Sequence, residues 1–301
     1  MLQALLSGLA TGAIYGLIAM GFSFAFYVTR VINFAQGQLL MVAIMITAAG
    51  AAAGWPVWIS IGLGMVGSCV LGALLYLLAV RPVIRMNRFS FAWLVTTLGA
   101  AVVLENAAAL IWGPTSRAFP TLYNGISIHV GSAVVTLQQI ITIVIALIFM
   151  GIFEWLRTRT LYGKIGMAIA SDPEMAAAVG VNTTRVALWS FVVAGLFAGM
   201  AGILVGPITF ANPYLGDTYG IYGFVAMMIG GTEKPFAAMI GGLLLGVLGE
   251  GANAVINSQA SDWFPFVVLL AILIISPEGL FGGSGSLRRI LKVKKSNEVL
   301  S

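Results

Sequence analysis

The chain is a ladder of apolar stretches, each close to the roughly 20 residues that a helix needs to cross about 30 Å of hydrocarbon. Candidate spans lie at about 4–28, 37–54, 57–80, 92–112, 136–156, 187–208, 236–257 and 263–276. A ninth stretch, 218–231, is shorter, glycine-rich and ends at Gly230-Gly231. It either crosses or forms a half-helix or re-entrant segment enclosed by protein. Only 8% of the 301 residues are charged and 60% are hydrophobic, whereas soluble domains carry about 25% charged residues. No stretch is polar enough to build a soluble domain, so the bilayer is the solvent. The expected fold is all-α, a polytopic bundle of about eight to nine transmembrane helices, one of them a candidate half or re-entrant helix.

Positive charge falls between alternate rungs of the ladder. One loop holds Arg81, Arg85 and Arg88, another Arg157, Arg159, Lys164 and Arg185, and the tail Arg288, Arg289, Lys292, Lys294 and Lys295. Loop 113–135 has only Arg117, beside Pro114, Pro120, Asn124, Gly125 and the sole histidine, His129. Lysine and arginine beside membrane segments stay on the cytoplasmic side. Loops 81–91 and 157–186 and the C-terminus are therefore expected in the cytoplasm of a multi-pass bacterial inner (plasma) membrane protein, with loop 113–135 outside. The N-terminus is then outside if 218–231 crosses fully. Residues 1–287 read as one transmembrane domain and 288–301 as a basic cytoplasmic tail, either solvated or touching anionic headgroups. The net charge of +5 follows from these flanks and implies no nucleic acid. The apolar N-terminus has no basic leader region and reads as a retained span. Cys69 has no cysteine to pair with and no metal-ligand spacing, which suits a small buried residue.

Glycine recurs at helical spacing: Gly8, Gly12 and Gly16, then Gly195 and Gly199, Gly202 and Gly206, and Gly242 and Gly246. Helices in lipid associate through close backbone approach, which small residues permit, so these faces predict a compact bundle. Gly8-Leu9 with Gly12 and Gly195-Leu196 with Gly199 also share a short pattern of the kind left by internal repeats.

Polar groups inside spans are costly and each needs a reason. Glu105-Asn106 lies deep in the fourth span, Glu250 sits between Gly249 and Gly251, and Asn33, Gln36 and Gln38 surround Phe34 at the start of the second. Asn33, Gln36, Gln38 and Glu105 are the candidates for a polar translocation path; interhelical hydrogen bonds that fix packing would explain them equally. Glu250 reads as structural, and Glu154 as half of an interfacial ion pair with Arg157. No catalytic constellation is present: a single histidine excludes histidine-rich metal sites, and no phosphate-binding Gly-x-x-x-x-Gly-Lys-Ser/Thr run occurs. No cofactor or metal is expected, and any ATP must be hydrolysed by another chain. A stand-alone secondary transporter or channel would instead route ions past Glu105 and Glu250.

In loop 157–186, Asp172-Pro173-Glu174 has the form of a helix start, with Asp or Ser as cap, Pro in the first turn and Glu on the positive end of the dipole. Ala176 to Ala178 extend a short helix that Gly180 ends. Such a helix either enters a groove on a partner or lies at the membrane interface.

Thr11-Gly12-Ala13-Ile14-Tyr15-Gly16-Leu17-Ile18-Ala19-Met20-Gly21, followed by Ile32-Asn33-Phe34-Ala35-Gln36-Gly37, resembles the permease subunit of branched-chain amino-acid ABC importers. The segment Gly163 to Gly180, Ile229-Gly230-Gly231 with Gly241-Gly242, and Pro277-Glu278-Gly279-Leu280-Phe281-Gly282 extend the resemblance over essentially the whole chain. It implies a non-catalytic membrane subunit working by alternating access. The implied partners are a second permease, paralogous or identical, two cytoplasmic ATP-binding subunits and a periplasmic solute-binding protein. Importer permeases carry a coupling motif Glu-Ala-Ala-x-x-x-Gly, which Glu174, Ala176, Ala177 and Gly180 follow loosely. Met175 replaces the first alanine and the usual downstream Leu-Pro is missing. The resemblance therefore makes Glu174, Ala176, Ala177 and Gly180 the expected ATPase-coupling residues. Gly231-Thr232-Glu233-Lys234-Pro235 is more charged than the family's turn. Relatives serve urea, short amides and other amino acids, so a urea or short-chain amide stands beside branched-chain amino acids as cargo.

Overall fold

The computed structural model describes residues 2–86, 91–120, 127–130, 133–256 and 260–281. Arg88, Asn124, Gly125, Gly282 and the whole 288–301 tail, with Arg288, Arg289, Lys292, Lys294 and Lys295, lie outside the described residues.

The elements are α1 (Leu2–Thr29), α2 (Gln36–Ala52), α3 (Val57–Leu75), α4 (Arg81–Met86), α5 (Ala92–Trp112), α6 (Leu137–Arg159), α7 (Leu161–Ser171), α8 (Pro173–Ala178), α9 (Thr183–Thr209), α10 (Leu215–Gly230), α11 (Pro235–Val255) and α12 (Ala260–Ile275). A π-helical turn, Tyr76–Val80, joins α3 to α4. Between α5 and α6, β1 (Ser127–Val130) and β2 (Ala133–Thr136) pair antiparallel with Ser127 opposite Thr136. The protein is thus an all-α polytopic bundle with one small hairpin. Among the described residues, six helical runs are long and apolar enough to cross a membrane: α1, α3 through α4, α5, α6, α9 and α11. The expected eight to nine full-length spans are not all present at that length, because α2, α10 and α12 have only 17, 16 and 16 residues.

The two ends of the bundle differ. At one end Gln3 Oε1 accepts from Val134 N–H of β2, and Arg117 and Ala211 pair through their backbones. At the other, the end of α1 packs with the π-turn and the starts of α8 and α9 through Val28, Val31, Tyr76, Val80, Ala176 and Ala187. The basic residues of α4, α7 and the last turn of α6 belong to this second end.

α1 and α9 run in opposite directions and break in the same way. Each is followed by a non-glycine residue with positive φ, Arg30 at 60° and Phe210 at 64°, the two such residues among those described. Each break leads through a short non-helical segment into a short helix, α2 or α10. The partners repeat as well: α1 crosses α11 closely while α9 crosses α3. A Cβ on Gly12 would sit 2.9 Å from the Gly242 carbonyl oxygen, and one on Gly195 would sit 2.5 Å from that of Ser68. The glycine faces thus do what their spacing predicted, and α1–α2–α3 with α9–α10–α11 forms an inverted repeat of the kind common in transporters. α1, α2 and α9 hold most of the core, whereas α5 and α6 leave most of their length exposed.

A candidate translocation junction and a hairpin at the basic end

The two short helices begin inside the bundle. Gln36 opens α2 and its Nε2 donates to the Ala194 carbonyl at 2.9 Å, near the middle of α9. A Cβ on Gly37 would overlap the Gly216 carbonyl oxygen at the start of α10. The block Asn33-Phe34-Ala35-Gln36-Gly37 therefore has a packing explanation residue by residue. Asn33 Oδ1 accepts from Ala35 N–H at 3.2 Å and sets the turn; the Phe34 ring lies 5.6 Å from that of Phe224; Gln36 ties the turn to α9; and Gly37 admits the backbone of α10. Asn33 and Gln36 are fully buried and their amides are occupied within the protein.

Gln38, two residues on, behaves differently. It is 1% exposed, and its Nε2 donates to Asp217 Oδ1 at 2.8 Å and to Glu105 Oε2 at 3.5 Å. Its Oε1 is buried without a hydrogen-bond partner among the described residues. Of the four candidate path residues, the fold brings Gln38 and Glu105 together and leaves Asn33 and Gln36 on the packed side of the junction. Asp217 joins the pair and was missed in the sequence. It stands in the first turn of α10, where an acidic residue reads as a dipole partner; the signal that could have found it is its position in the repeat, since Gln36-Gly37-Gln38 opens α2 as Leu215-Gly216-Asp217 opens α10. Glu250 is half-buried on α11 and lines a cavity of about 20 Å³ with Thr11, Tyr15 and Pro265, away from this cluster. Asn106 is exposed and donates back to the Val102 carbonyl at 2.8 Å.

At the basic end, what the sequence presents as one loop, 157–186, is mostly helix. Glu154 and Arg157 pair as expected, at 2.8 and 2.5 Å, in the last part of α6. Thr160 caps α7 by accepting from Gly163 N–H, and Asp172 Oδ1 accepts from the N–H groups of Glu174 and Met175, both at 3.0 Å, to cap α8. Pro173 takes the first turn and Gly180 follows α8 with φ +89°. Asn182 then caps α9. Glu174, Ala177 and Gly180 are exposed, but Ala176 is 4% exposed and packs into the chain. The surface the sequence reading missed is apolar: Tyr162, Met175 and Val179 are 86%, 67% and 80% exposed.

Arg30 connects this hairpin to the bundle. Its guanidinium pairs with Glu233 and donates to the Ala170 carbonyl, at 3.1 Å, one residue before the end of α7. Ser23 donates to the Thr232 carbonyl at 2.8 Å, and Lys234 Nζ to that of Phe281 at 2.9 Å. The charged turn Gly231–Pro235 thereby joins the ends of α1, α7 and the C-terminal segment.

Residues 4–276 match the family model described as branched-chain amino acid transport system, permease component. The chain is 32% identical to the high-affinity branched-chain amino acid transport system permease protein LivH of Escherichia coli K12, covering 93% of this chain and 95% of the relative. It is 31% identical to LivH of Salmonella typhimurium LT2 and 28% identical to the BraD permease protein of Pseudomonas aeruginosa, each over the same 93% and 95%.

Proposed function

The chain belongs to the family of permease components of branched-chain amino acid transport systems, and from this premise we propose that it is a membrane subunit of an ATP-binding-cassette importer that carries branched-chain amino acids across the inner membrane. The observation that carries the reading is the full-length family match on a chain whose two broken helices meet in a polar cluster inside the bundle. A solute path needs polar groups held where hydrocarbon otherwise forbids them, and inverted repeats put them at the meeting point of discontinuous helices.

Nine helices carry the chain between the two ends in this proposal, with residues 31–35 and 210–214 completing the crossings of α2 and α10. The N-terminus lies outside and the basic end, with the 288–301 tail, in the cytoplasm. Residues 1–287 act as one permease domain. Two cytoplasmic ATP-binding subunits receive the hairpin α7–α8 through Glu174, Ala177 and Gly180 together with Tyr162, Met175 and Val179, while Ala176 holds the hairpin on the bundle. A second permease, identical or paralogous, completes the membrane part, and a periplasmic binding protein delivers cargo. Gln38 and Glu105 line the path; Asn33 and Gln36 hold it in shape.

The test is uptake of labelled leucine into proteoliposomes holding the chain with its second permease, ATP-binding subunits and binding protein. Uptake is expected only with ATP inside the cytoplasmic compartment and is competed by isoleucine and valine. Competition by urea or acetamide instead would assign the other cargo class. Equal uptake by the chain without the ATP-binding subunits would make it a stand-alone carrier.

A further inference from the structure

We propose that Arg30 is a positioning residue for import: its side chain conveys movement of the α7–α8 hairpin to the break between α1 and α2. That this movement serves import rests on the importer reading; the mechanical link itself does not.

The backbone at Arg30 is the first observation. Its φ of 60° lies in the left-handed region, which a non-glycine residue holds only where its surroundings over-determine it. Local bonds supply part of that restraint. Arg30 N–H donates to the Phe26 carbonyl at 2.7 Å, Thr29 Oγ1 to that of Ala25 at 2.7 Å, and Val31 N–H to Thr29 Oγ1 at 3.3 Å. The guanidinium adds a restraint from across the fold, bound to Glu233 on one side and to the Ala170 carbonyl on the other. Beyond the break, Gln36 opens α2 against α9 and Gly37 meets Gly216. A change at Arg30 reaches the junction of the short helices through residues 31–35 alone.

The two partners of the guanidinium are unequal, which is the second observation. Glu233 sits in a turn that is held from several sides. The Thr232 carbonyl accepts from Ser23, and those of Ile229 and Gly230 accept from the N–H groups of Leu280 and Phe281 at 2.8 and 3.1 Å. Ala170 instead belongs to a hairpin buried only at Gly166, Ile169 and Ala170 in α7 and Ala176 in α8. Elements with little buried contact are the ones that move at low cost. The third observation is how Ala170 is held. Carbonyls in the last turn of a helix lack partners within it and form the negative end of its dipole. α7 has no basic residue in its own last turn, so Arg30 brings that charge from another element. Its planar fork of donors serves a carboxylate and a carbonyl together, and displacement of α7 against the fixed turn pulls on the residue between them. The counterpart bend at Phe210 carries an apolar side chain, 60% exposed, so the hairpin acts on the first half of the repeat. An ion pair this exposed adds little to stability, and its removal therefore isolates transmission from folding.

The experiment uses the complete reconstituted complex. Arg30→Gly is the main variant, because glycine keeps the left-handed bend and deletes the guanidinium. Leucine moved per ATP hydrolysed is expected to fall at least about fivefold, while binding-protein-stimulated hydrolysis stays within about twofold. Glu233→Ala should lower the same ratio in the native chain and change nothing further in the Arg30→Gly chain. In a Cys69→Ala chain, spin labels at Leu5→Cys and Ala53→Cys, exposed at the start of α1 and just after α2, read the bend directly. Their separation is expected to differ between the nucleotide-free complex and one trapped with an ATP analogue, and Arg30→Gly should abolish the difference. The proposal is overturned by a normal ratio with Arg30→Gly, by hydrolysis lost in parallel with uptake, or by a further fall when Glu233→Ala is added. It is overturned equally by a separation that never changes in the native complex or that still changes without Arg30. If the native complex takes up no leucine while the Arg30-dependent change in separation persists, the importer reading fails and the link stands.

Discussion

Gly37 and Gly216 show how little freedom single positions have where the short helices meet. A Cβ on Gly37 overlaps the Gly216 carbonyl oxygen, and one on Gly216 overlaps the Gln38 amide. Overpacking of this kind costs about 1–3 kcal/mol, so Gly37→Ala is expected to lower the denaturant midpoint of the purified protein by a corresponding amount, whereas Gly62→Ala, where a Cβ meets nothing, should leave it unchanged. Residue type alone announced part of this junction. Asn33, Gln36, Gln38 and Glu105 stood out because amides and carboxylates are rare in apolar spans, but their chemistry gave no hint that Asn33 closes on local backbone and Gln36 on α9, while Gln38 of α2 reaches Glu105 of α5. Asp217 was silent because its partner Gln38 is 179 positions away.

α7 read as part of a loop, whereas α8 is an element whose ends were readable and whose faces were not. Asp172, Pro173 and Gly180 mark its start and stop through local hydrogen bonds and φ, which depend on neighbours in sequence. Which side turns inward depends on what it packs against, so the burial of Ala176 was not legible in the sequence. Exposed substitutions away from packing usually change stability by less than about 0.5 kcal/mol. Met175→Asp with Val179→Asp is therefore expected to leave the unfolding midpoint in place and to weaken co-purification of the ATP-binding subunits at least about tenfold, as loss of central apolar contacts does in interfaces. Arg30 and Glu233 are 47% and 56% exposed, a setting in which an ion pair contributes under about 1 kcal/mol. A double-mutant cycle on Arg30→Ala and Glu233→Ala should then show little coupling in stability; a coupling above about 2 kcal/mol would mean that the pair is dry in the assembled complex.

For the whole molecule, apolar length and the spacing of lysine and arginine carried the architecture: the long apolar helices lie where hydrophobicity places them, and the described basic residues of α4, α7 and the last turn of α6 share one end. The helices that break inside the bundle escaped that reasoning, because 31–35 and 210–214 are too short to register as loops and α2 and α10 too short to register as complete crossings. Side-specific labelling tests the arrangement. In a Cys69→Ala chain, Tyr162→Cys should react with an impermeant maleimide only in inverted vesicles, and Ser116→Cys only in intact spheroplasts; the reverse pattern would turn the molecule over.

The matched bends at Arg30 and Phe210 carry a consequence for motion. Two halves of opposite orientation that share one design need not hold the same shape at the same instant. Were the two bends to change in opposite senses, the same chain would reach a second conformer without unfolding any helix. The stroke of this machine would then be an exchange of roles between its halves, with Gly37 and Gly216 as the pivot around which it turns.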